Sequence, residues 1–299
     1  MALLLDGKSA AAQGKESLRT RIAALAQAPK LVVIQVAGDP AADRYVKAIG
    51  RSCADVGAGY ELIGLPADAD TAQVVAEVQR ASADVGVQGI IIQMPLPRHI
   101  DATAVVAALD PRKDIDGIHP TNAGQLAIGR PTLVPATPSG GMALLRHYEI
   151  PVAGKHAVVI GRSAVVGRPM ALLLLQADAT VTVCHSRTVD LPALVRQADI
   201  VVAAIGKARF VTRDMVKAGA VVIDFGINVA DDGTLCGDVD SAPLTDVVSA
   251  YTPVPGGTGP MTNVMLLENL LTAAGRGGDR NGRGIRHTGG AEGRGIPRP

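Results

Sequence analysis

The sequence is poor in aromatic residues and has no excess of charge of one sign. Its 299 residues include 2 Phe, 4 Tyr and no Trp, and the formal net charge is +1. Proteins that bind single-stranded nucleic acids use aromatic platforms and basic grooves, and membrane proteins carry aromatic belts at the bilayer interfaces. The composition therefore argues against a nucleic-acid partner and against a membrane protein.

Cysteines and long apolar runs are also scarce. The three cysteines, Cys53, Cys184 and Cys236, are widely spaced and contain no C-x-x-C motif, so we expect neither a disulfide framework nor a thiolate zinc site. No apolar run approaches the roughly 18 residues that suggest a membrane-spanning helix. We therefore expect a soluble protein of the reducing cytoplasm.

Metal and hydrolase motifs are missing as well. The six histidines show no H-E-x-x-H spacing, and the segment GRSAV does not match the G-x-S-x-G nucleophile elbow. The sequence therefore predicts no metal site and no serine hydrolase.

What the sequence does contain is an alternation of apolar strands and helices. The runs LVVIQVAG, YELIGLP and VQGIIIQMPLP are typical of strands, and residues 41–56 and 71–83 between them are typical of helices. The strand-like runs HAVVIG, TVTVCHS, ADIVVAAIG and AVVIDFGIN form a second series. Near-continuous apolar strands indicate parallel sheets covered on both faces. We therefore predict an α/β fold with two domains, each built on a parallel sheet.

The Pro-rich segment RPTLVPATPSGG, which precedes a helix predicted from residue 142, is taken as the connection between the domains. The first domain is expected over residues 1–138 and a second, Rossmann-type domain over residues 139–261. A last helix, residues 262–274, is expected to return to the first domain. Residues 275–299 are rich in Gly and Arg, have no apolar period, and are predicted to be disordered.

The segment GRSAVVGRPM follows a predicted strand and begins a helix. It is similar to a dinucleotide fingerprint in which Ser163 replaces the middle glycine and the last glycine is displaced to Gly167. Backbone N–H groups at such a helix start can bind a pyrophosphate, although a plain strand-to-helix turn would look the same. The next strand ends in VCHSRT, without the acidic residue of NAD-selective sites. Arg162, Ser186 and Arg187 favour NADP, or else the arginines are simply exposed surface residues.

Three polar residues of the first domain lie where α/β proteins bind ligands. Tyr45 lies near the start of a predicted helix, Gln93 follows the strand IIIQMPLP directly, and Asp116 lies in KDIDG. Ligands of α/β proteins bind at the carboxyl ends of parallel strands, which makes these residues candidates for a substrate site. Gln93 could equally cap its strand, and Asp116 could be a turn residue beside Gly117.

Taken together, the motifs resemble the bifunctional methylenetetrahydrofolate dehydrogenase/methenyltetrahydrofolate cyclohydrolase family, from about Leu4 to Ala274. The segments that carry the resemblance, in family order and spacing, are LLDGKSAA, GDPAADRYV, IIIQMPLP, DPRKDIDGIHPTNAG, LVPATPSGGMALL, GRSAVVGRPM, IDFGIN, GDVD and PVPGGTGPMT. The resemblance implies a folate-binding domain, a Rossmann-type domain for NADP, a cleft between them, and a homodimer.

The resemblance also implies roles for individual residues. Tyr45 would flank the folate ring, Gln93 would bind near the reacting centre, and Asp116 would anchor the pterin. Arg162 and Ser186 would hold the 2′-phosphate of NADP. The residues implied to bind the cofactor are Gly161, Arg162, Ser163, Val166, Gly167, Ser186, Ile227, Gly256 and Gly257.

Besides Ala42, which stands where a Ser is common, the chain departs from the family at three positions. Thr258 stands where many members have Val, and Ala136 stands where a Cys is common. The third departure is chemical, because the family motif Y-V-x-x-K places its catalytic lysine at position 49, where this chain has Ile49. Lys47 and Arg51 are each two residues away and point to another side of a helix.

Loss of this lysine should affect the two family activities differently. Hydride transfer from methylenetetrahydrofolate mainly needs alignment with the nicotinamide, whereas hydrolysis of the methenyl product needs water attack and proton transfer. We therefore hypothesise an NADP-dependent dehydrogenase with weak or lost cyclohydrolase activity. The alternatives are a fully bifunctional enzyme and a non-catalytic folate- or NADP-binding partner subunit.

Overall fold

The computed structural model describes residues 2–230 and 233–278, which contain two separate parallel sheets and a short hairpin. The strands are β1 (Leu3–Leu4), β2 (Lys30–Val36), β3 (Gly59–Leu65), β4 (Gly89–Ile92), β5 (His156–Ile160), β6 (Thr180–Cys184), β7 (Ile200–Ala203), β8 (Val221–Asp224), β9 (Asn228–Val229), β10 (Leu235–Cys236) and β11 (Ala250–Tyr251). The helices are α1 (Gly7–Ala23), α2 (Pro40–Val56), α3 (Thr71–Ala83), α4 (Ala102–Ala107), α5 (Pro120–Ala127), α6 (Ala136–His147), α7 (Gly167–Gln176), α8 (Leu191–Val195) and α9 (Thr258–Gly278).

The smaller sheet has three parallel strands in the order β3-β2-β4. Strands β2 and β4 are almost entirely buried because helices cover both faces, whereas the edge strand β3 is half-buried to exposed. Val33 and Ile91 point into a core shared with α1, α2, α6 and α9, while Val32 and Ile90 point into a second core that includes residues of α3 and α4. This sheet corresponds to the parallel sheet predicted for the first domain.

The larger sheet has six parallel strands in the order β1-β11-β8-β7-β5-β6. Chain crossovers leave β5 towards β6 on one side and return to β7 on the other, so a topological switch point lies between β5 and β7. Ligands of such sheets bind outside the carboxyl ends of the strands at this point. The predicted α/β fold with two parallel sheets is confirmed.

Helix α6 begins earlier than predicted. Residues 135–141 read as a Pro-rich connection, but Pro138 lies in the first turn, where its missing N–H costs no helical hydrogen bond. Gly140 and Gly141 are buried contact points, since a Cβ on Gly140 would lie 3.1 Å from Met261 Cβ and one on Gly141 would lie 2.4 Å from the Phe225 ring. The boundary predicted between residues 138 and 139 therefore falls inside a helix that packs on both α9 and α7.

Helix α9 is longer than the predicted 262–274 and begins at Thr258. Gly259 and Pro260 suggested a loop, but a proline is tolerated in the first turn of a helix. The Thr258 hydroxyl, which is buried, donates a hydrogen bond of 2.9 Å to the carbonyl of Asp224 and holds this end of α9. At the other end, residues 275–278 of the segment predicted to be disordered belong to α9, and residues 279–299 lie outside the described residues.

The N-terminal strand β1 also departs from the predicted domain division. It pairs in parallel with β11 at the edge of the larger sheet, although residues 1–138 were assigned to the first domain. The chain therefore begins on the second sheet and crosses to the first through α1. Across the two described stretches, none of the helices combines the length and apolar character needed to cross a bilayer.

Candidate active site

The turn between β5 and α7 lies at the switch point of the larger sheet. Gly161 has a φ of +123°, and a Cβ there would lie 2.1 Å from the carbonyl oxygen of Ala204, just after β7. A Cβ on Gly167 would lie 2.3 Å from the Gly161 carbonyl oxygen. Both positions therefore require glycine, one for its backbone conformation and both for close approach.

At the start of α7, several backbone N–H groups that could bind an anion are already hydrogen-bonded within the protein. The Ser163 hydroxyl oxygen accepts hydrogen bonds of 3.2 Å from the backbone N–H groups of Val166 and Gly167. The Arg168 N–H donates to the Ser163 carbonyl. These donors at the helix start are therefore used inside the turn, and the exposed part of the turn is residues 162–165.

The three residues predicted to bind a 2′-phosphate, two arginines and a serine, follow the ends of two neighbouring strands. Ile160 pairs with Cys184, and the Gly161 N–H donates to the Cys184 carbonyl at 2.9 Å, which brings Arg162 close to the turn with Ser186 and Arg187. All three side chains are exposed. In the part of the chain that the structure describes, neither arginine forms an ion pair, so their charges remain available to a phosphate.

The loop with Gly256 and Gly257 lies against the start of α1. The Gly7 N–H donates to the Gly256 carbonyl at 2.8 Å, and a Cβ on Gly7 would lie only 1.7 Å from the Gly257 carbonyl oxygen. Lys8 lies alongside this loop, with its Cε 3.3 Å from the position of a Cβ on Gly256. Ile227, in the loop after β8, is 72% exposed.

On the side of the smaller sheet, Tyr45 and Asp116 interact electrostatically. Burial raises the pKa of the Tyr45 phenol, and the negative charge of Asp116 raises it further. Burial also raises the pKa of the Asp116 carboxyl from 3.8 to about 6, with a contribution from the charge of Asp114. Asp114 is fully buried and accepts hydrogen bonds from the N–H groups of Ile118 and His119, which shapes the loop that carries Asp116.

Gln93 follows the last residue of β4. Its amide nitrogen donates a hydrogen bond of 2.8 Å to the carbonyl of Met94, while its Oε1 is buried and has no hydrogen-bond partner among the described residues. Side chains two residues apart lie on the same face of a strand, so Gln93 points to the same side of the sheet as Ile91. That side is the core shared with α2 and α9.

Ile49 is 2% exposed and belongs to this same core, with Val46, Cys53 and Ile91. Tyr45, one turn earlier on α2, is 38% exposed at the rim. Lys47 and Arg51 are exposed, as their position on another side of the helix predicts. Position 49 therefore carries a buried apolar side chain, one helical turn after Tyr45, without a titratable group.

Comparison with known proteins decides the family. Residues 5–116 match the model of the tetrahydrofolate dehydrogenase/cyclohydrolase catalytic domain, and residues 135–277 match that of the corresponding NAD(P)-binding domain. The chain belongs to this family. The bifunctional protein FolD of Herpetosiphon aurantiacus is 57% identical over 277 residues, which cover 91% of this chain and 97% of the relative. FolD of Chloroflexus aurantiacus is 54% identical over 276 residues, with coverages of 91% and 97%.

Solved structures of the tetrahydrofolate dehydrogenase/cyclohydrolase family have the same fold. The bifunctional methylenetetrahydrofolate dehydrogenase/cyclohydrolase FolD of Campylobacter jejuni is 42% identical with a TM-score of 0.90, covering 92% of this chain and 100% of that one. FolD of Trypanosoma brucei, solved with NADP cofactor and an inhibitor, is 37% identical with a TM-score of 0.89 and coverages of 93% and 99%.

Two of the three departures from the family motifs have a clear structural setting. Thr258 is 7% exposed, and its hydroxyl is satisfied by the Asp224 carbonyl. Ala136 is 1% exposed at the start of α6, in the core with Ile49. Both are therefore compatible with the family fold.

Two buried carboxylates, Asp224 and Asp238, hold the loops around the site and were not predicted from the sequence. Asp238 accepts hydrogen bonds from three consecutive N–H groups, those of Ile205, Gly206 and Lys207, at 2.7, 3.0 and 2.8 Å. Asp224 accepts from the N–H groups of Gly226, Asp238 and Val239. The segments IDFGIN and GDVD place acidic residues after apolar segments, which is a signal for a buried carboxylate, but no local pattern identifies the N–H groups that they bind.

The raised pKa of Asp116 predicts a specific pH dependence of stability. Between about pH 4 and pH 6 the unfolded chain loses the Asp116 proton while the folded protein keeps it, so ionisation destabilises the fold progressively over this window and by a constant amount above it. We expect the melting temperature of Asp116→Asn, relative to the wild type, to rise from pH 4 to pH 6 and then level off. Thermal melts of the free protein across pH 4–8 measure this.

Asp214→Asn is the control, because the Thr212 hydroxyl holds the pKa of this exposed carboxyl below its usual value. This variant should show no such relative gain. A difference between Asp116→Asn and wild type that is independent of pH would contradict the raised pKa.

Proposed function

We propose that this chain catalyses the NADP-dependent oxidation of 5,10-methylenetetrahydrofolate to 5,10-methenyltetrahydrofolate, and that it hydrolyses the methenyl product only weakly. Family membership supports the first part. The observation that carries the second part is the burial of Ile49 in an apolar core at the position of the catalytic lysine. A homodimer, implied by the family resemblance, stays a prediction.

The turn after β5 supports a dinucleotide as the cofactor. Gly161 and Gly167 let the backbone of the turn, the end of β7 and the start of α7 approach closely, which is the use of glycines in dinucleotide-binding turns. The exposed Arg162 and Ser186 supply charge and a hydroxyl donor for a 2′-phosphate, which favours NADP. NADP bound here would supply the hydride acceptor.

The oxidation needs little acid–base chemistry from the chain. The hydride leaves a carbon flanked by two nitrogens, whose lone pairs stabilise the cationic product without a proton transfer. The protein must therefore mainly align substrate and cofactor. In this proposal Asp116 accepts hydrogen bonds from the pterin, Tyr45 packs against the ring, and Gln93 binds near the reacting carbon.

The hydrolysis makes a different demand. Water must attack the methenyl carbon, and a proton must then reach a departing nitrogen, which are tasks for a tuned acid–base group. Ile49 has no proton to give and its burial excludes water. Loss of a general acid or base typically costs about 10² to 10⁴-fold in rate. The hydrolytic step should therefore be the weaker one.

A fully bifunctional enzyme is the second candidate, favoured by the relatives above 50% identity that carry the name bifunctional protein FolD. In that case Lys47 or Arg51, both exposed on α2, would have to reach the substrate, or Tyr45 and Gln93 would have to activate water. Hydrolysis that falls in Lys47→Ala or Arg51→Ala would favour this candidate.

Restoring a lysine tests the role of position 49. We expect Ile49→Lys to increase hydrolysis of methenyltetrahydrofolate by about 100-fold or more, because a lysine four residues after Tyr45 would supply the missing proton transfer. The decay of methenyltetrahydrofolate absorbance, corrected for the spontaneous reaction, measures the effect. Ile49→Met keeps an apolar side chain and is the matched control, with no gain expected.

Retained oxidation of methylenetetrahydrofolate by both variants would show that they are folded. If Ile49→Lys oxidises the folate but hydrolyses methenyltetrahydrofolate no faster than Ile49→Met, then position 49 does not limit the hydrolysis.

The cofactor preference depends on Arg162. We expect Arg162→Ala to lower kcat/KM for NADP by about 10- to 100-fold, the loss of one charge-assisted hydrogen bond, and to leave kcat/KM for NAD nearly unchanged. Steady-state rates with the two cofactors measure the preference. Arg130→Ala, which removes another exposed arginine in the segment after α5, is the control. Equal losses with NADP and NAD would argue against a contact to the 2′-phosphate.

A further inference from the structure

Two buried side-chain oxygens lack a hydrogen-bond partner among the described residues, Gln93 Oε1 and Asn263 Oδ1. Buried polar atoms in native proteins are nearly always hydrogen-bonded, so each exception calls for an explanation. Gln93 belongs to the proposed folate site. Asn263 directly follows the PGGTGPMT motif on α9 and has no role in the proposed function.

The course of α9 places Asn263 relative to the smaller sheet. Thr258 holds the start of α9 near the carboxyl end of β8. Ala273 and Ala274, near its other end, line a cavity together with Pro29 and Gln88, which directly precede β2 and β4. Helix α9 therefore runs antiparallel to β4, with its N-terminal part level with the carboxyl ends of the strands.

Contacts along α9 identify the face that covers β4. Leu270 packs on the first residue of β4, since a Cβ on Gly89 would lie 2.7 Å from its Cδ1. Asn263 precedes Leu270 by seven residues, which is close to two helical turns, so it lies on the same face about 10 Å nearer to the start of α9. Gln93 lies four residues after Gly89, about 13 Å along the strand.

Asn263 and Gln93 therefore face each other at nearly the same level. Gly89, Ile91 and Gln93 alternate with residues of the opposite face, so all three point towards α9. Ile49 and Ile91 lie in the core that α9 also lines. The side chains that carry the two unpartnered oxygens thus lie on the same side of the smaller sheet, which is the side with Ile49 in its core and Tyr45 at its rim.

We propose that Asn263 is a substrate-binding residue, whose Oδ1 accepts a hydrogen bond from an N–H group of the reduced pterin ring. This inference rests on the proposed function and deepens it. The tetrahydropterin carries its amino and ring N–H donors on more than one edge, whereas a carboxylate pairs with neighbouring donors on one edge, so a further N–H group needs another acceptor. Gln93 Oε1 and Asn263 Oδ1 supply two further acceptors.

The proposal separates substrate affinity from stability. In the free protein the unpartnered Asn263 oxygen destabilises the fold, because a buried acceptor has lost its hydrogen bonds to water without gaining a partner in the protein. Replacing it with an apolar group of similar size removes that destabilising effect. An asparagine kept only for packing would behave in the opposite way, since its replacement would disturb the fold without a selective effect on one ligand.

The test compares Asn263→Leu and the smaller Asn263→Val with wild type and with Thr272→Val, an exposed position of α9. We expect either folded Asn263 variant to raise KM for methylenetetrahydrofolate by about 10-fold, the loss of one hydrogen bond to a ligand, with KM for NADP within about twofold of wild type. The melting temperature of the free protein should be unchanged or higher. The increase in melting temperature on adding tetrahydrofolate should shrink, whereas Thr272→Val should match wild type throughout.

A KM for the folate within about twofold of wild type in a folded variant would overturn the proposal. So would a parallel rise of both KM values with a lower melting temperature, because that pattern indicates a structural role. Wild-type protein that neither oxidises methylenetetrahydrofolate nor is stabilised by tetrahydrofolate would overturn the proposed function itself, and with it this inference.

Discussion

Asp224 joins the end of β8 to the segments that surround the proposed site. Its carboxylate accepts N–H groups from the loop after β8 and from the segment after β10, and its carbonyl accepts the hydroxyl of Thr258 at the start of α9. Its own N–H donates to the Thr252 hydroxyl. Because α9 continues along the smaller sheet, Asp224 helps to position the carboxyl edge of the larger sheet relative to the smaller one, together with the packing of α1 and α6 on α9.

The same arrangement explains why a carboxylate can be buried there. Burial raises the pKa of Asp224 to about 6, and the three N–H donors oppose that rise. A buried charge without such donors would be strongly destabilising, whereas a fully satisfied network makes the local geometry rigid. The neighbouring Asp238 fixes residues 205–207 in the same way. Asp224 and Asp238 thus shape the loops around the proposed site, although neither is proposed to contact the substrate.

Much of the fold could be predicted because buried parallel strands are apolar throughout. Runs such as HAVVIG and VQGIIIQ indicate strands without any knowledge of their neighbours. The starts of α6 and α9 were misjudged because Pro138, Gly140, Gly141 and Pro260 suggest loops when their packing partners are unknown. Strand β1 has two residues, and it is defined by its pairing with β11 and by the hydrogen bond from the Leu3 N–H to the carbonyl of Ser249. The partners of Asp224 and Asp238 are likewise set by tertiary contacts that no local pattern reveals.

At the candidate active site, the sequence shows the types of residue, but their burial and their neighbours are known only from the structure. The sequence identifies Ile49 as a departure, and only the structure shows that this side chain is 2% exposed in a closed apolar core. The raised pKa of Asp116 depends on burial and on Asp114. The sequence predicts no role for Asn263, because an asparagine on a helix is usually exposed. The structure shows that its Oδ1 is buried and has no hydrogen-bond partner among the described residues.

In the proposed function, oxidation and hydrolysis are separated because position 49 has no proton-transfer group. The most direct measurement follows the purified wild-type protein with 5,10-methylenetetrahydrofolate and NADP, recording NADPH and methenyltetrahydrofolate by their separate absorbances. We expect NADPH to form while methenyltetrahydrofolate accumulates and decays only at its spontaneous rate. Methenyltetrahydrofolate that disappears as fast as NADPH forms would contradict the proposed loss of hydrolysis, because another group would then carry the proton chemistry.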